Sequence, residues 1–321
     1  MTLEPAASAV LEKALRRAWP GPGTPEPRRV AIRPRGGAAS GDAPPNSRRS
    51  LSGEAVVEFE AGPPLHLFVK GLRSHPAGSP SMGGGEREAA AYRLLEGCSQ
   101  VPSLHRHWRD PADGRDWLLL DHVSGRPLSA SDSGERWDEA ADLLASIHAR
   151  FAGSGARLAD SVLPDWSDPA WGRSFARTIG PTEAVVEGAP ALDLDHAWRR
   201  AVSTLRAQPS TLVHGECFPG HVLVLPSGGV RLVDWEDAGW GAAAIDLEAL
   251  LWGAPAALRR RVLARYAARA GAGGRRAADA RALRAAALAN RIRFLASWGP
   301  SLGDTQAADL LAEIASLLAD D

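Results

Sequence analysis

Polar and apolar positions give the chain two textures that change near residue 126. Before that point most apolar residues fall in short alternating runs, the period of a half-buried strand. RRVAIRP (28–34), GEAVVEFEA (53–61) and LHLFVKGL (65–72) read as strands, the last two joined by the turn GPP. WLLLDHVSG (117–125) reads as a strand running into an extended connector. Two helices flank these runs. LEPAASAVLEKALRRA (3–18) is stopped by Pro20, and EREAAAYRLLEG (86–97) ends at Gly97. RGGAASGDAPPNSRRS and SHPAGSPSMGGG are Gly/Pro/Ser-rich and read as loops.

Beyond residue 126 the period becomes helical. ERWDEAADLLASIHARF carries Ala140, Leu143, Leu144, Ile147 and Phe151 on one stripe. LDLDHAWRRAVSTLRA is a second helix, residues 153–190 give no clear pattern, and the chain from Ala242 onward is predominantly helical. One hairpin interrupts this region. HVLVL (221–225) and VRLVD (230–234) flank Pro226-Ser227-Gly228-Gly229, a connection of ordinary hairpin length. In the simplest register Leu225 opposes Val230, which places His221 opposite Asp234. Directly opposed residues have Cβ atoms roughly 4.5–5.5 Å apart. Glu216 enters the same end of the hairpin, so Glu216, His221 and Asp234 converge unless a bulge shifts the register. Singly, each is an ordinary turn or surface residue; jointly they suggest a metal or proton-handling site.

A second pair lies in the N-terminal part. Lys70 ends a strand and alternates with Phe68 and His66, while Glu88 shares a helix face with Ala91, Tyr92 and Leu95. A carboxylate on a packing face is costly unless paired, and Lys70 is its expected partner; otherwise both are solvated surface charges.

Composition narrows the function classes. The 321 residues suffice for one large domain or two modest ones, and the net charge of −1 suggests no nucleic-acid partner. Arginines from Arg259 to Arg293 alternate with alanine and leucine and read as solvated helix faces. The two cysteines, Cys98 and Cys217, make no disulfide framework and fit a reducing compartment. With no membrane span or signal peptide visible in the pattern, the expectation is a cytoplasmic protein. In this arginine-rich chain lysine occurs only at Lys13 and Lys70, so Lys70 marks a place where a compact charge is needed rather than a planar fork.

Taken together, HGECFPGHVLV, VDWEDAGWG and IDLEALLWG, with FVK at Lys70, REAAAYRLL at Glu88, WLLLDHVSGRPL and LLASIHARF, resemble the aminoglycoside phosphotransferase and choline kinase-like family. The resemblance spans most of the chain. It implies an α+β, bilobal protein-kinase-like fold: a small β-rich nucleotide-binding lobe over 1–120, a hinge at 121–125 and a larger, mostly helical lobe over 126–321. It implies ATP, or another nucleoside triphosphate, with Mg²⁺ or Mn²⁺, and a hydroxyl-bearing small molecule as acceptor. Lys70, oriented by Glu88, would hold the α- and β-phosphates, and adenine would bond the backbone near Asp121 and Val123. Glu216 would stand at the catalytic base, Asp234 and His221 at the metal, and His214 and Asp246 would brace the catalytic loop. Glu236, Asp237, Trp240 and Trp252 are candidate acceptor-lining residues, the tryptophans being equally good candidates for packing.

Two positions depart from the family pattern, His-Gly-Asp followed after four residues by Asn. Glu216 replaces the aspartate, and His221 replaces the asparagine. Imidazole suits Mn²⁺ or Zn²⁺ better than Mg²⁺, so the second metal ligand could instead be Glu236. These departures keep three alternatives in view: a nucleotide-binding pseudokinase or scaffold, a kinase acting on Ser or Thr of a peptide partner, and, more remotely, a zinc hydrolase built from His214, Glu216, Cys217, His221 and Asp234.

Overall fold

The computed structural model describes residues 5–18, 28–34, 50–73, 84–111, 114–154, 162–187, 189–299 and 302–319. The Gly/Pro/Ser-rich loops at 35–49 and 74–83 lie outside the described residues. The described residues up to Ser124 form one compact unit and those from Gly125 a second.

The first unit is an antiparallel sheet with a helix against each face. Its elements are α1 (Pro5–Ala18), β1 (Arg29–Pro34), β2 (Ser50–Glu58), β3 (Leu65–Arg73), α2 (Gly85–Leu94), β4 (Leu104–Asp110) and β5 (Arg115–Asp121), with strand order β1-β2-β3-β5-β4. Alternation decides which side chains go inward. Ala55 and Val57 of β2, Leu67 and Val69 of β3, and Trp117 and Leu119 of β5 form one buried cluster with Leu11, Ala14 and Leu15 of α1. The other residues of β3, Lys70 among them, therefore point to the opposite face, where α2 lies. Gly85 starts α2 so close to β5 that a Cβ there would stand 2.3 Å from that of Asp116. β4 has no counterpart in the sequence reading. Its LHRHWRD lacks alternation because it is an edge strand, paired only with β5.

The second unit is mostly helical: α3 (Gly134–Arg150), α4 (Trp171–Ile179), α5 (Thr182–Val185), α6 (Leu194–Leu205), α7 (Ala244–Leu250), α8 (Ala256–Ala277), α9 (Ala280–Trp298) and α10 (Asp304–Ala319). The α3 stripe is buried as its spacing predicts: Ala140, Leu143, Leu144, Ile147 and Phe151 are all 8% exposed or less. Two small sheets carry the loops of interest. β6 (Arg126–Pro127), β8 (Val222–Val224) and β9 (Val230–Leu232) form one, and β7 (Ser210–Val213) pairs antiparallel with β10 (Gly239–Ala242) in the other. The segment 214–221 connects β7 to β8, and 233–238 connects β9 to β10.

Two expectations are corrected here. The hairpin register is one residue off: Val224, not Leu225, opposes Val230. Leu225 is taken into the turn, its N–H bonding the Gly229 carbonyl across two glycines at positive φ. The arginine-rich helices are also not uniformly solvated. Arg261 and Arg265 of α8 do lie at the surface, paired with Asp138 and Asp142 of α3. Arg291 and Arg293 of α9 are instead buried, at 8% and 7% exposure, because α9 is a central helix packed on several sides.

Candidate functional site

In the first unit Lys70 and Glu88 are paired. The Lys70 Nζ lies 2.9 Å from a Glu88 carboxylate oxygen, and the residues are 7% and 1% exposed. Ala91, Tyr92 and Leu95 are buried as well, so the helix face that carries Glu88 is the packed one. Asp121 closes β5. Its carboxylate accepts from the Ser103 N–H at 3.0 Å and pairs with the His105 ring at 2.6 Å. Partial burial alone would raise its pKa; the His105 and Ser103 hydrogen bonds outweigh that and lower it. Its N–H bonds the Ser103 carbonyl, and the His122 N–H bonds the His66 carbonyl. The backbone donors at 121 and 122 are therefore spent within the unit, whereas among the described residues no backbone carbonyl takes the Val123 N–H.

In the second unit the loop 214–221 is organised around Asp246 of α7. This carboxylate, 1% exposed, accepts from the His214 N–H at 2.7 Å and the Gly215 N–H at 2.9 Å, and it pairs with His148 at 3.1 Å. Burial would raise its pKa, but the His148 bond and the neighbouring imidazoles hold it below the ordinary carboxylate value. His214 is fully buried, and its pKa is driven down to about 4, first by burial and then by His221. As the neutral ring it donates from Nε2 to the Val233 carbonyl at 2.9 Å and accepts the Glu216 N–H at Nδ1. Both nitrogens are thus spent on positioning the loop.

Glu216 follows. Its carboxyl is pushed well above the usual value, first by burial and next by the Asp237 carboxylate, with Arg293 pulling it back. His221 Nδ1 is bonded to the Glu216 carbonyl at 2.6 Å, which makes it the protonated nitrogen. Nε2 lies on the other side of the ring, 3.7 Å from an Asp234 oxygen. The expected meeting of His221 and Asp234 therefore occurs without the expected register: His221 sits in a 3₁₀ turn and pairs through its carbonyl with Val233. Asp234 is turned toward it by backbone strain. At φ 70° and ψ 61° it is the one non-glycine residue at positive φ among the described residues. Such a conformation costs about 1–2 kcal/mol and is retained where the side chain's direction matters.

Oxygens of Asp234 and Glu236 lie within 4.8 Å of one another. Two hard carboxylates are donors of the kind a divalent cation takes, and the His221 ring adjoins one of them, Asp234. The zinc alternative loses two members: His214 has no free nitrogen, and Cys217 is fully buried with its thiol pKa pushed well up by burial. Of the proposed acceptor-lining residues, Trp240 is 3% exposed and packs edge-on against Phe151, so its surface is consumed by the core. Asp237 is also buried, and its carbonyl accepts from the Trp166 indole. Glu236 is half-buried. Trp252 is half-exposed and belongs to an aromatic row with Phe218, Phe294 and Trp298, the guanidinium of Arg291 lying 4.3 Å from its ring. Sequence reasoning missed Trp166 and Arg293, which close this loop system from behind.

The model of the phosphotransferase enzyme family matches residues 63–283, more than half of the chain. The chain belongs to that family. No curated protein matches the chain. Among solved structures it is similar to the choline kinase LicA from Streptococcus pneumoniae, with a TM-score of 0.62 at 14% identity over 98% of both chains. It is also similar to the macrolide 2'-phosphotransferase MphH from Brachybacterium faecium, with a TM-score of 0.56 at 18% identity over 96% of this chain and 98% of that one. An ethanolamine kinase from Plasmodium vivax gives 0.59 at 10% identity, over 89% and 81%. These likenesses fix the fold as the bilobal protein-kinase-like one. As a member of the phosphotransferase family the protein is an enzyme of the kinase type, acting on hydroxyl groups. Among the described residues no helix is long and apolar enough to cross a membrane.

Proposed function

We propose that this phosphotransferase moves the γ-phosphoryl group of a nucleoside triphosphate, ATP in the first instance, to a hydroxyl of a small molecule such as a sugar, natural product or antibiotic. One observation carries the proposal. A single loop braced by Asp246 presents Glu216 and His221 together, and His221 meets an Asp234 held at strained φ/ψ. Structures of similar fold that contain AMP, or GDP and kanamycin, support a nucleotide as one ligand.

In the first unit Lys70, held by Glu88, would neutralise the α- and β-phosphates. The Asp121 carbonyl and the Val123 N–H would take the adenine edge, since the N–H groups of Asp121 and His122 are already used. In the second unit Asp234, with Glu236 or His221, would hold the divalent cation, whose role is to neutralise charge on the phosphates. Mg²⁺ suits the carboxylates; Mn²⁺ suits the mixed oxygen and nitrogen set. Glu216 would orient the acceptor hydroxyl and accept its proton as the acceptor oxygen bonds to the γ-phosphorus and the nucleoside diphosphate oxygen departs. A carboxyl of raised pKa is a stronger base than an ordinary one, provided its cationic neighbours keep it ionised. Glu236 and Trp252 are the acceptor-facing candidates that exposure still permits.

The test is nucleotide consumption by the purified protein against a panel of hydroxylated metabolites, with Mg²⁺ and with Mn²⁺. Acceptor-dependent turnover is expected, and Asp234→Ala should abolish it while the protein still folds. Nucleotide binding without turnover for any acceptor would identify a non-catalytic binder, and near-normal turnover by Asp234→Ala would remove the metal assignment.

A further inference from the structure

Arg293 lies 78 residues from Gly215 in sequence and comes from a helix whose composition suggested only a solvated face. It is nevertheless 7% exposed. A guanidinium taken out of water costs several kcal/mol unless its charge and donors are answered, so its surroundings should explain its presence. Its Nη1 donates to the Gly215 carbonyl at 3.0 Å, and its plane lies 4.0 Å from the Trp166 ring centre. Its charge acts on the Glu216 carboxyl, opposing the rise in pKa that burial and Asp237 impose.

These contacts form a closed circuit around one peptide. Gly215 has φ +86°, and a Cβ there would meet the Asp237 carbonyl oxygen at 2.2 Å and an Arg293 guanidinium nitrogen at 3.2 Å. The backbones of the two loops therefore touch, and Arg293 lies over the point of contact. The Trp166 indole donates to that same Asp237 carbonyl at 3.1 Å. Trp166 is itself tied to β10, its N–H bonding the Trp240 carbonyl at 2.7 Å. Gly215 is thus held at both ends: its N–H by Asp246 at 2.9 Å and its C=O by Arg293. Fixing that carbonyl fixes the plane of the next peptide, whose N–H is that of Glu216 and points at His214 Nδ1. The direction in which Glu216 leaves the backbone is set by these bonds.

We propose that Arg293 is a positioning residue for phosphoryl transfer, clamping the Gly215–Glu216 peptide against the Asp237 segment through Trp166. The inference rests on the reading of Glu216 as the group that orients the acceptor. It differs from a purely structural role because it predicts a loss in the chemical step that is separable from folding and from nucleotide binding. A displacement of about 1 Å at a reacting group is worth up to about 100-fold in rate.

The experiment compares wild type, Arg293→Met and Arg293→Lys in the full chain. Three quantities are read: kcat and the nucleotide KM, affinity for a fluorescent nucleotide, and hydrogen exchange of the amides from 213 to 218. Arg293→Met keeps apolar bulk on Trp166 but removes the donor and the charge. Its kcat should fall by about 10- to 100-fold, with nucleotide affinity within about two-fold and faster exchange at 214–216. Arg293→Lys should recover part of both losses. A folded Arg293→Met with wild-type kcat and unchanged exchange overturns the proposal, as does a lower melting temperature with kcat intact below it. If Arg293→Met does not fold, Trp166→Phe keeps the ring stack and deletes the indole donor. It should show the same kcat-specific loss, and an unchanged kcat would again overturn the clamp. Should the wild type transfer no phosphoryl group to any acceptor, the kinase reading fails on its own, and the exchange rates still decide whether Arg293 holds the loop.

Discussion

Acidifying the metal-free protein from about pH 7.5 to about pH 5 should cost its C-terminal unit about 2 kcal/mol through one imidazole, His214. The ring is fully buried and its pKa is about 4 against an ordinary 6.5. The folded pKa is depressed, so the stabilisation is fully present above the unfolded value. It falls as the pH drops, because the unfolded chain then takes up a proton that the folded one refuses. At about pH 5 the unfolded ring is nearly all protonated and the folded one nearly all neutral, which gives ~2 kcal/mol; near pH 4 the loss reaches ~3 kcal/mol and then levels off. Two neighbours titrate as well and must be separated. Glu216 has a raised pKa, so its contribution has the opposite sign, present below the ordinary carboxyl value and lost as pH rises through the folded one. Asp246 is lowered and gives way only in stronger acid.

The assay isolates His214 by difference. Urea unfolding of wild type and His214→Gln is followed at both pH values, each unit's transition being fitted separately because a chain with two units need not unfold in one step. Glutamine can still donate to the Val233 carbonyl but does not titrate. The variant is less stable at neutral pH, having lost the Nδ1 acceptor, and its stability should change with pH by about 2 kcal/mol less than wild type. Equal pH dependence in the two proteins would refute the neutral, buried histidine.

Two further outcomes follow from the ion pair and the metal set. Lys70→Met should destabilise the N-terminal unit by about 3 kcal/mol or more, since it leaves Glu88 buried without the ammonium 2.9 Å away, and should remove nucleotide binding. Adding Glu88→Gln should restore the melting temperature but not transfer, and a Lys70→Met protein of wild-type stability would contradict the pairing. His221→Asn should lower Mg²⁺-dependent turnover, because the Nδ1 bond to the Glu216 carbonyl is lost, and should lower the ratio of Mn²⁺ to Mg²⁺ activity, measured as initial rates; unchanged or higher turnover would show that this bond does not restrain Glu216.

The legible parts of the sequence were those where a period or a rare residue carried the signal. Lys70 stood out because arginine had replaced lysine almost everywhere else, and Glu88 because a charge fell on a packing stripe. The hairpin was visible, but its register was not: Gly228 and Gly229 both adopt positive φ and draw Leu225 into the turn, an effect of backbone conformation that apolar alternation cannot show. β10 was hidden because Gly239 and Gly241 are shaped by neighbours rather than by strand propensity; a Cβ at 239 would meet the Trp166 indole at 2.5 Å. Arg293 was misread for a compositional reason. Alanine is the commonest residue of α9 and is neutral between core and surface, so a helix buried on several sides shows no clear apolar stripe against which a buried arginine would look out of place.

The two departures from the family pattern turn out to be joined. His221, in place of asparagine, bonds through Nδ1 to the backbone carbonyl of Glu216, the residue in place of aspartate. Glutamate carries one more methylene and one more rotatable bond, so its carboxylate reaches farther and is less restrained. If the backbone beneath it also moved, the uncertainty in the acceptor's position would grow beyond what transfer tolerates. Three groups prevent that motion: Asp246 at the Gly215 N–H, Arg293 at the Gly215 carbonyl and His221 at the Glu216 carbonyl. Asparagine is shorter than histidine, and its one amide group would have to serve both a cation and this carbonyl. The imidazole can do both, giving one nitrogen to the loop and turning the other toward Asp234. If Glu216 is the base proposed above, the histidine in place of asparagine would be what holds that longer side chain in place.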